Sequence, residues 1–86
     1  MNKPQWERSR NRFGYWLNGK RLAYIGKEMG KSKYHWYVDV IGPEGVRAAG
    51  EENSSRKAKK ACEDKLKEFG EELVQRYLRM HVTHRW

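Results

Sequence analysis

Cysteine is almost absent. Cys62 stands alone among 86 residues, so no internal disulfide can form, and one cysteine with three histidines does not amount to a zinc set. Apolar runs are short as well: none approaches the roughly 18 residues of a membrane span. Residues 1–12 are polar and basic, without the hydrophobic stretch of a secretory leader. The expectation is a cytoplasmic chain, not associated with a membrane and held together by packing alone. Acids are outnumbered, 11 Asp and Glu against 19 Lys and Arg, for a net charge of +8. A surplus of that size selects partners of opposite sign, nucleic acid first and an acidic protein next. Only 37% of the chain is hydrophobic, yet 13% is aromatic, so a few large rings must build the core of a folded chain. A chain of 86 residues has material for one domain and no second core.

The surplus charge is unevenly spread. Residues 1–12 hold four basic residues and one acid, 13–53 hold six and five, and 54–80 hold eight and five. Residues 1–12 therefore read as a basic arm carrying Arg8, Arg10 and Arg12, which either enters a groove or serves only as a solubilising tail. Residues 13–80 read as one domain and 81–86 as a tail, where His81 and His84 near Trp86 are a frayed end and not a metal site.

Within the domain, Asn18-Gly19 supplies the two positive-φ residues of a tight hairpin turn, which predicts strands at about 13–17 and 20–26. Pairing Leu17 with Lys20 puts Phe13, Tyr15, Leu22 and Tyr24 on one face and Trp16, Arg21 and Ala23 on the other. Alternation resumes over 34–41, with Tyr34, Trp36, Val38 and Val40 facing one way and His35, Tyr37, Asp39 and Ile41 the other. Gly42-Pro43-Glu44-Gly45 is a turn that returns the chain into a short strand at 46–49. Asn53-Ser54-Ser55 then offers helix caps. Apolar residues follow at Ala58, Ala61, Cys62, Leu66, Phe69, Leu73, Tyr77 and Met80, the stripe of one helix over about 54–80, bent or broken at Gly70. The fold class expected is α+β, a three- to four-stranded antiparallel sheet covered by one long helix.

The start of that helix breaks a rule. Arg56, Lys57, Lys59 and Lys60 occupy its first turns with no acid among them, although the helix dipole already makes that end positive. Cations added there, together with unpaired backbone donors and Ser54, form an anion site. The alternative is a solvated lysine face neutralised by Glu51, Glu52, Glu63 and Asp64.

The run Gly50-Glu51-Glu52-Asn53-Ser54-Ser55-Arg56-Lys57-Ala58-Lys59-Lys60-Ala61-Cys62 resembles the closing motif of double-stranded RNA-binding domains. Gly50, Ser54, Arg56, Ala58, Lys59, Ala61 and Cys62 stand at corresponding places. The resemblance implies that Arg56 and Lys59 lie on phosphates across the RNA major groove. Ser55 departs from the third phosphate-contacting position, Glu52 replaces a glycine, and the opening helix of that family has no counterpart in residues 1–12. The strand–helix order is also similar to the sheet-plus-helix DNA-binding modules of integrase arm domains and AP2 domains. By that likeness the outer sheet face, with Trp16, Arg21, His35, Tyr37 and Asp39 and with Lys20, Lys31 and Lys33 in the flanking loops, would enter a DNA groove. Reversed faces, or an arm folded over Trp16, would remove that surface.

No paired carboxylates, activated nucleophile or phosphate-cradling glycine loop is placed by the sequence, and Cys62 lies on the apolar stripe as packing. The function expected is a small non-enzymatic binder of double-stranded RNA or DNA that needs no cofactor and works as a monomer in preference to a homodimer, with the size and charge of many phage and mobile-element proteins. Its contacts would come from Ser54, Arg56, Lys57, Lys59 and Lys60, with Trp16, Lys20, Arg21, Lys31, Lys33 and Tyr37. The alternative is a protein-interaction factor that modulates a larger complex through an aromatic and basic surface.

Overall fold

Five antiparallel strands follow one another in chain order in a single sheet: β1 (Gln5–Ser9), β2 (Arg12–Leu17), β3 (Lys20–Lys27), β4 (Tyr34–Val38) and β5 (Ala49–Glu52). Two helices follow, α1 (Ser55–Phe69) and α2 (Glu71–Arg79). The computed structural model describes residues 3–10, 12–28 and 30–80, so the tail expected at 81–86 lies outside the described residues. The fold is α+β, with five strands among the described residues where three to four were expected. The extra one is β1, inside the segment expected to be an arm. Trp6 explains it: the indole stacks on Tyr15 with ring centroids 4.6 Å apart, and its Nε1 donates to Glu63 Oε2 at 2.8 Å, which ties the strand to α1.

The β2–β3 turn forms as the sequence requires, with Asn18 at φ 51 and Gly19 at φ 78. The pairing beyond it differs from expectation. Leu17 faces Lys20 and Trp16 faces Arg21, but the register then shifts, so that Tyr15 opposes Ala23 and Phe13 opposes Ile25. This bulge allows the consecutive residues Leu22 and Ala23 both to enter the core, and it carries Tyr24 to the opposite face. There Tyr24 stacks on Tyr37 at 4.8 Å. The last strand is also displaced, to Ala49–Glu52 in place of 46–49, because Gly42 N–H donates to Val46 O and Gly45 N–H to Gly42 O, making 42–46 a closed turn. The third expected strand ends at Val38, short of residue 41.

One sheet face carries the rows Trp6–Tyr15–Ala23–Val38 and Arg8–Phe13–Ile25–Trp36–Gly50. Ala58, Cys62 and Leu66 of α1 and Tyr77 of α2 pack against it with Leu22 and Val40. The single long helix expected is two helices. Gly70 sits at φ 90 and ψ 160, a region essentially reserved for glycine, so the ladder stops and restarts. The apolar stripe survives the break because α2 turns Leu73, Val74, Tyr77 and Leu78 back onto the same core. Tyr77 Oη donates to Arg21 O at 2.6 Å, and Lys20 Nζ donates to the carbonyls of Tyr77 and Leu78 at 2.8 and 3.1 Å, a cation at the negative end of α2.

Candidate nucleic-acid interface

The two helices treat the dipole oppositely. α2 follows the usual rule, with Glu71 and Glu72 in its first turn and Arg76 and Arg79 in its last. α1 has no acid in its first turn. Ser54 caps it in extended conformation, its Oγ accepting the Lys57 amide at 3.2 Å, and the first intrahelical bond runs from Ala58 N–H to Ser54 O. The amides of Ser55 and Arg56 precede that bond and point out of the helix end. Arg56 and Lys57 are exposed and have no acidic partner among the described residues.

Further along this turn the cations are engaged. Lys59 Nζ lies 4.1 Å from the centroid of the Phe13 ring and 5.8 Å from that of Trp6. Lys60 pairs with Asp64 at 3.5 Å, an exposed contact worth only a few tenths of a kcal/mol. Arg8 shares the Phe13 ring, its Cζ 5.9 Å from the centroid, so the helix start and the first hairpin meet at one aromatic side chain. Beyond Phe13 opens a cleft of about 510 Å³ lined by Arg8, Arg10, Lys27, Lys31 and Tyr34. Lys27 Nζ rests 5.4 Å above the Tyr34 ring. Arg8 and Arg10, expected on an arm, thus stand on a folded hairpin beside the helix start, whereas Arg12 lies on the opposite face with Tyr24 and His35; Lys27, which the sequence did not single out, completes the group.

Other sequence candidates are placed elsewhere. Arg21 binds Asp39 through two bonds, Nε to Oδ2 at 2.8 Å and a terminal nitrogen to Oδ1 at 3.1 Å, and lies 4.2 Å from the Tyr24 ring. Both side chains of the pair are about nine-tenths buried, at 11% and 12% exposure, so this guanidinium is matched by a carboxylate in place. Lys20 is committed to α2. Lys31 and Lys33 are exposed in the β3–β4 loop, and only Lys31 reaches the cleft. Trp16 is half-buried on the face opposite Tyr15, and Tyr37 is 39% exposed. The face that no described helix covers carries the Tyr24–Tyr37 pair with His35 stacked beside Tyr37, and is bordered by Arg12, Lys27 and Glu28.

Three titratable groups of the core are shifted by their burial. Burial pushes the Cys62 thiol up to about 12, with smaller increases from Glu63 and Asp39, so it is a neutral packing group. Burial also raises the Tyr77 phenol, with Asp39 second, and raises Tyr15, with Glu63 second. Among the described residues no three His, Cys, Asp or Glu side chains converge as a metal site would require, and no helix is long and apolar enough to cross a membrane. Compared with models of protein families, with curated protein sequences and with solved structures, the chain matches none.

Proposed function

We propose that this domain binds double-stranded nucleic acid without catalysing a reaction, gripping the phosphate backbone with the basic end built from the start of α1 and the neighbouring hairpin. The observation that carries this reading is the grouping of cations that internal acids do not neutralise. Arg56 and Lys57 have no acidic partner among the described residues, while Arg8, Arg10, Lys27, Lys31 and Lys59 cluster around Phe13 and Tyr34. Of the nearby acids, Glu63 holds Trp6, Asp64 pairs with Lys60, Glu28 lies 3.8 Å from His35 Nε2 and Glu52 opposes Tyr34, so the cations outnumber the acids beside them. Like charges gathered at a positive helix end repel one another, and an anionic partner relieves that repulsion. The phosphate-contacting surface in this reading is the helix start, because Arg21 and Lys20, expected to serve the sheet face, are already engaged. The resemblance of the 50–62 run to double-stranded RNA-binding domains favours RNA as the duplex. Parallel titration of matched RNA and DNA duplexes decides between the two. Fluorescence anisotropy with a labelled duplex should show tight binding at low salt that is lost steeply as salt rises. Absence of binding to either duplex at low salt would refute the proposal.

The uncovered sheet face supports a second reading, a protein-interaction surface centred on Tyr37, Tyr24 and His35. Under that reading, charge reversal at Arg56 and Lys57 leaves activity intact, whereas Tyr37→Ala abolishes it.

A further inference from the structure

We propose that the cleft beside Phe13 and Tyr34 receives a single unpaired nucleotide carrying a phosphate, so that the domain recognises a strand end in addition to the duplex backbone. The inference rests on the nucleic-acid reading above and names what one part of that surface selects.

The size of the cleft argues for one nucleotide. At about 510 Å³ it falls among sites that hold small ligands, about 300–1,000 Å³, and it is far too small for a duplex. Its charge argues for phosphate. Arg8, Arg10, Lys27 and Lys31 face it with one acid, Glu28, whose carboxylate lies 3.8 Å from His35 Nε2. Its walls argue for a planar ring. Phe13 on β2 opposes Ile25, and Tyr34 on β4 opposes Lys27, so the two rings flank β3 on one face. Strands two apart are separated by about 9.6 Å, and Tyr34 stands two residues along β4 from the row of Phe13, so the rings lie diagonally across β3 and a flat base stacks on the Tyr34 ring at about 4.5–5 Å without being sandwiched by both.

The occupants of the ring faces couple phosphate to base. Lys27 lies on Tyr34, and Arg8 and Lys59 lie on Phe13. A phosphate at the rim draws these cations toward itself, which uncovers the faces on which a base stacks. Inorganic phosphate alone and an uncharged nucleoside alone should each bind far more weakly than a mononucleotide.

The test uses the full chain. Nuclear magnetic resonance shifts are recorded with adenosine monophosphate, inorganic phosphate and adenosine. Affinities are then measured for one duplex that is blunt and unphosphorylated, and for the same duplex with one unpaired, terminally phosphorylated adenosine at either end. Adenosine monophosphate should move the Tyr34 and Lys31 signals more than either fragment does. The duplex with the unpaired nucleotide should bind on the order of ten-fold more tightly, the weight of one stacked base. Tyr34→Leu should bring the ratio of the two affinities, measured in that variant, to about one, and Tyr34→Phe should retain the wild-type ratio. Equal affinity for blunt and unpaired ends overturns the inference while the duplex reading stands. Shifts with the free mononucleotide but no end preference overturn the strand-end assignment in favour of a free nucleotide. No binding of any duplex, together with no mononucleotide shift, overturns both.

Discussion

Gly50 provides a sharp test of how the sheet and α1 fit together. It opposes Trp36, and a Cβ built on it would stand 2.7 Å from the indole Cε2 and Cζ2 and 2.8 Å from Nε1. Carbon atoms in ordinary contact are about 3.5–4.0 Å apart, so Gly50→Ala requires the indole to retreat by about 1 Å. It has little room, because Trp36 is 8% exposed and packed in the core cluster with Ala58 and Cys62. Overpacking of this kind costs about 1–3 kcal/mol. Removing a strand glycine returns about 0.5–1 kcal/mol of backbone entropy. The net expectation is a loss of about 1–2 kcal/mol, which for a domain of this size lowers the melting temperature by about 4–16 °C. Urea denaturation followed by tryptophan fluorescence measures it. In a Trp36→Leu background the clashing atoms are gone, and with them an indole N–H that is buried without a partner among the described residues. There Gly50→Ala should be neutral or stabilising, a coupling that a double-mutant cycle isolates. If Gly50→Ala stabilises the wild-type protein by the half to one kcal/mol expected of an unhindered strand glycine, the packing of Trp36 on Gly50 is wrong.

Two further outcomes follow from the docking of α2 and from the buried titrating groups. Tyr77→Phe removes the 2.6 Å bond to Arg21 O and should cost about 1 kcal/mol in a denaturant titration; stability equal to wild type would mean that the bond does not hold α2 to the hairpin. Cys62, Tyr15 and Tyr77 all bind protons more tightly folded than unfolded. Their contribution is therefore complete below pH 9, the ordinary thiol value, and is lost as pH climbs toward 12, where the folded Cys62 thiol ionises. Each group adds a slope of up to about 1.4 kcal/mol per pH unit. Denaturant midpoints across this range should fall, and Cys62→Ala should flatten the part nearest pH 9. A midpoint constant to pH 11 would contradict the burial of these groups.

Local chemistry made some elements readable and long-range packing hid others. Asn18-Gly19 announced its turn because two adjacent positive-φ residues have few other uses, and Ser54 announced its cap. β1 was hidden because Gln5–Ser9 has a single apolar residue, Trp6, whose partners Tyr15 and Glu63 are distant in sequence. β5 was misplaced because Ala-Gly-Glu-Glu carries no strand-forming side chain, and its position is set by the fit of Gly50 under Trp36. The bulge that moved Tyr24 depends on burying Leu22 and Ala23 together, which no alternation rule expresses. Gly70 marks an interruption in the sequence, but a restart in α2 keeps the apolar stripe in phase, so periodicity does not separate a bend from a break. At the candidate interface, Arg56 and Lys57 were legible as charges of the wrong sign for a helix start. The loss of Arg21 to Asp39 and of Lys20 to the end of α2, and the recruitment of Arg10 and Lys27 to the cleft, arise only once the hairpins are paired.

The salt dependence of duplex affinity tests the phosphate grip most directly. If Arg8, Arg10, Lys27, Lys31, Arg56 and Lys57 each take one phosphate, the logarithm of the affinity should fall against the logarithm of salt with a slope of about −5. Replacing Arg56 and Lys57 with Gln should make that slope shallower by about 2. Arg47→Gln, beside Phe69 at the far end of α1, should leave it unchanged. A slope near zero, or the same slope in all three proteins, would contradict the account.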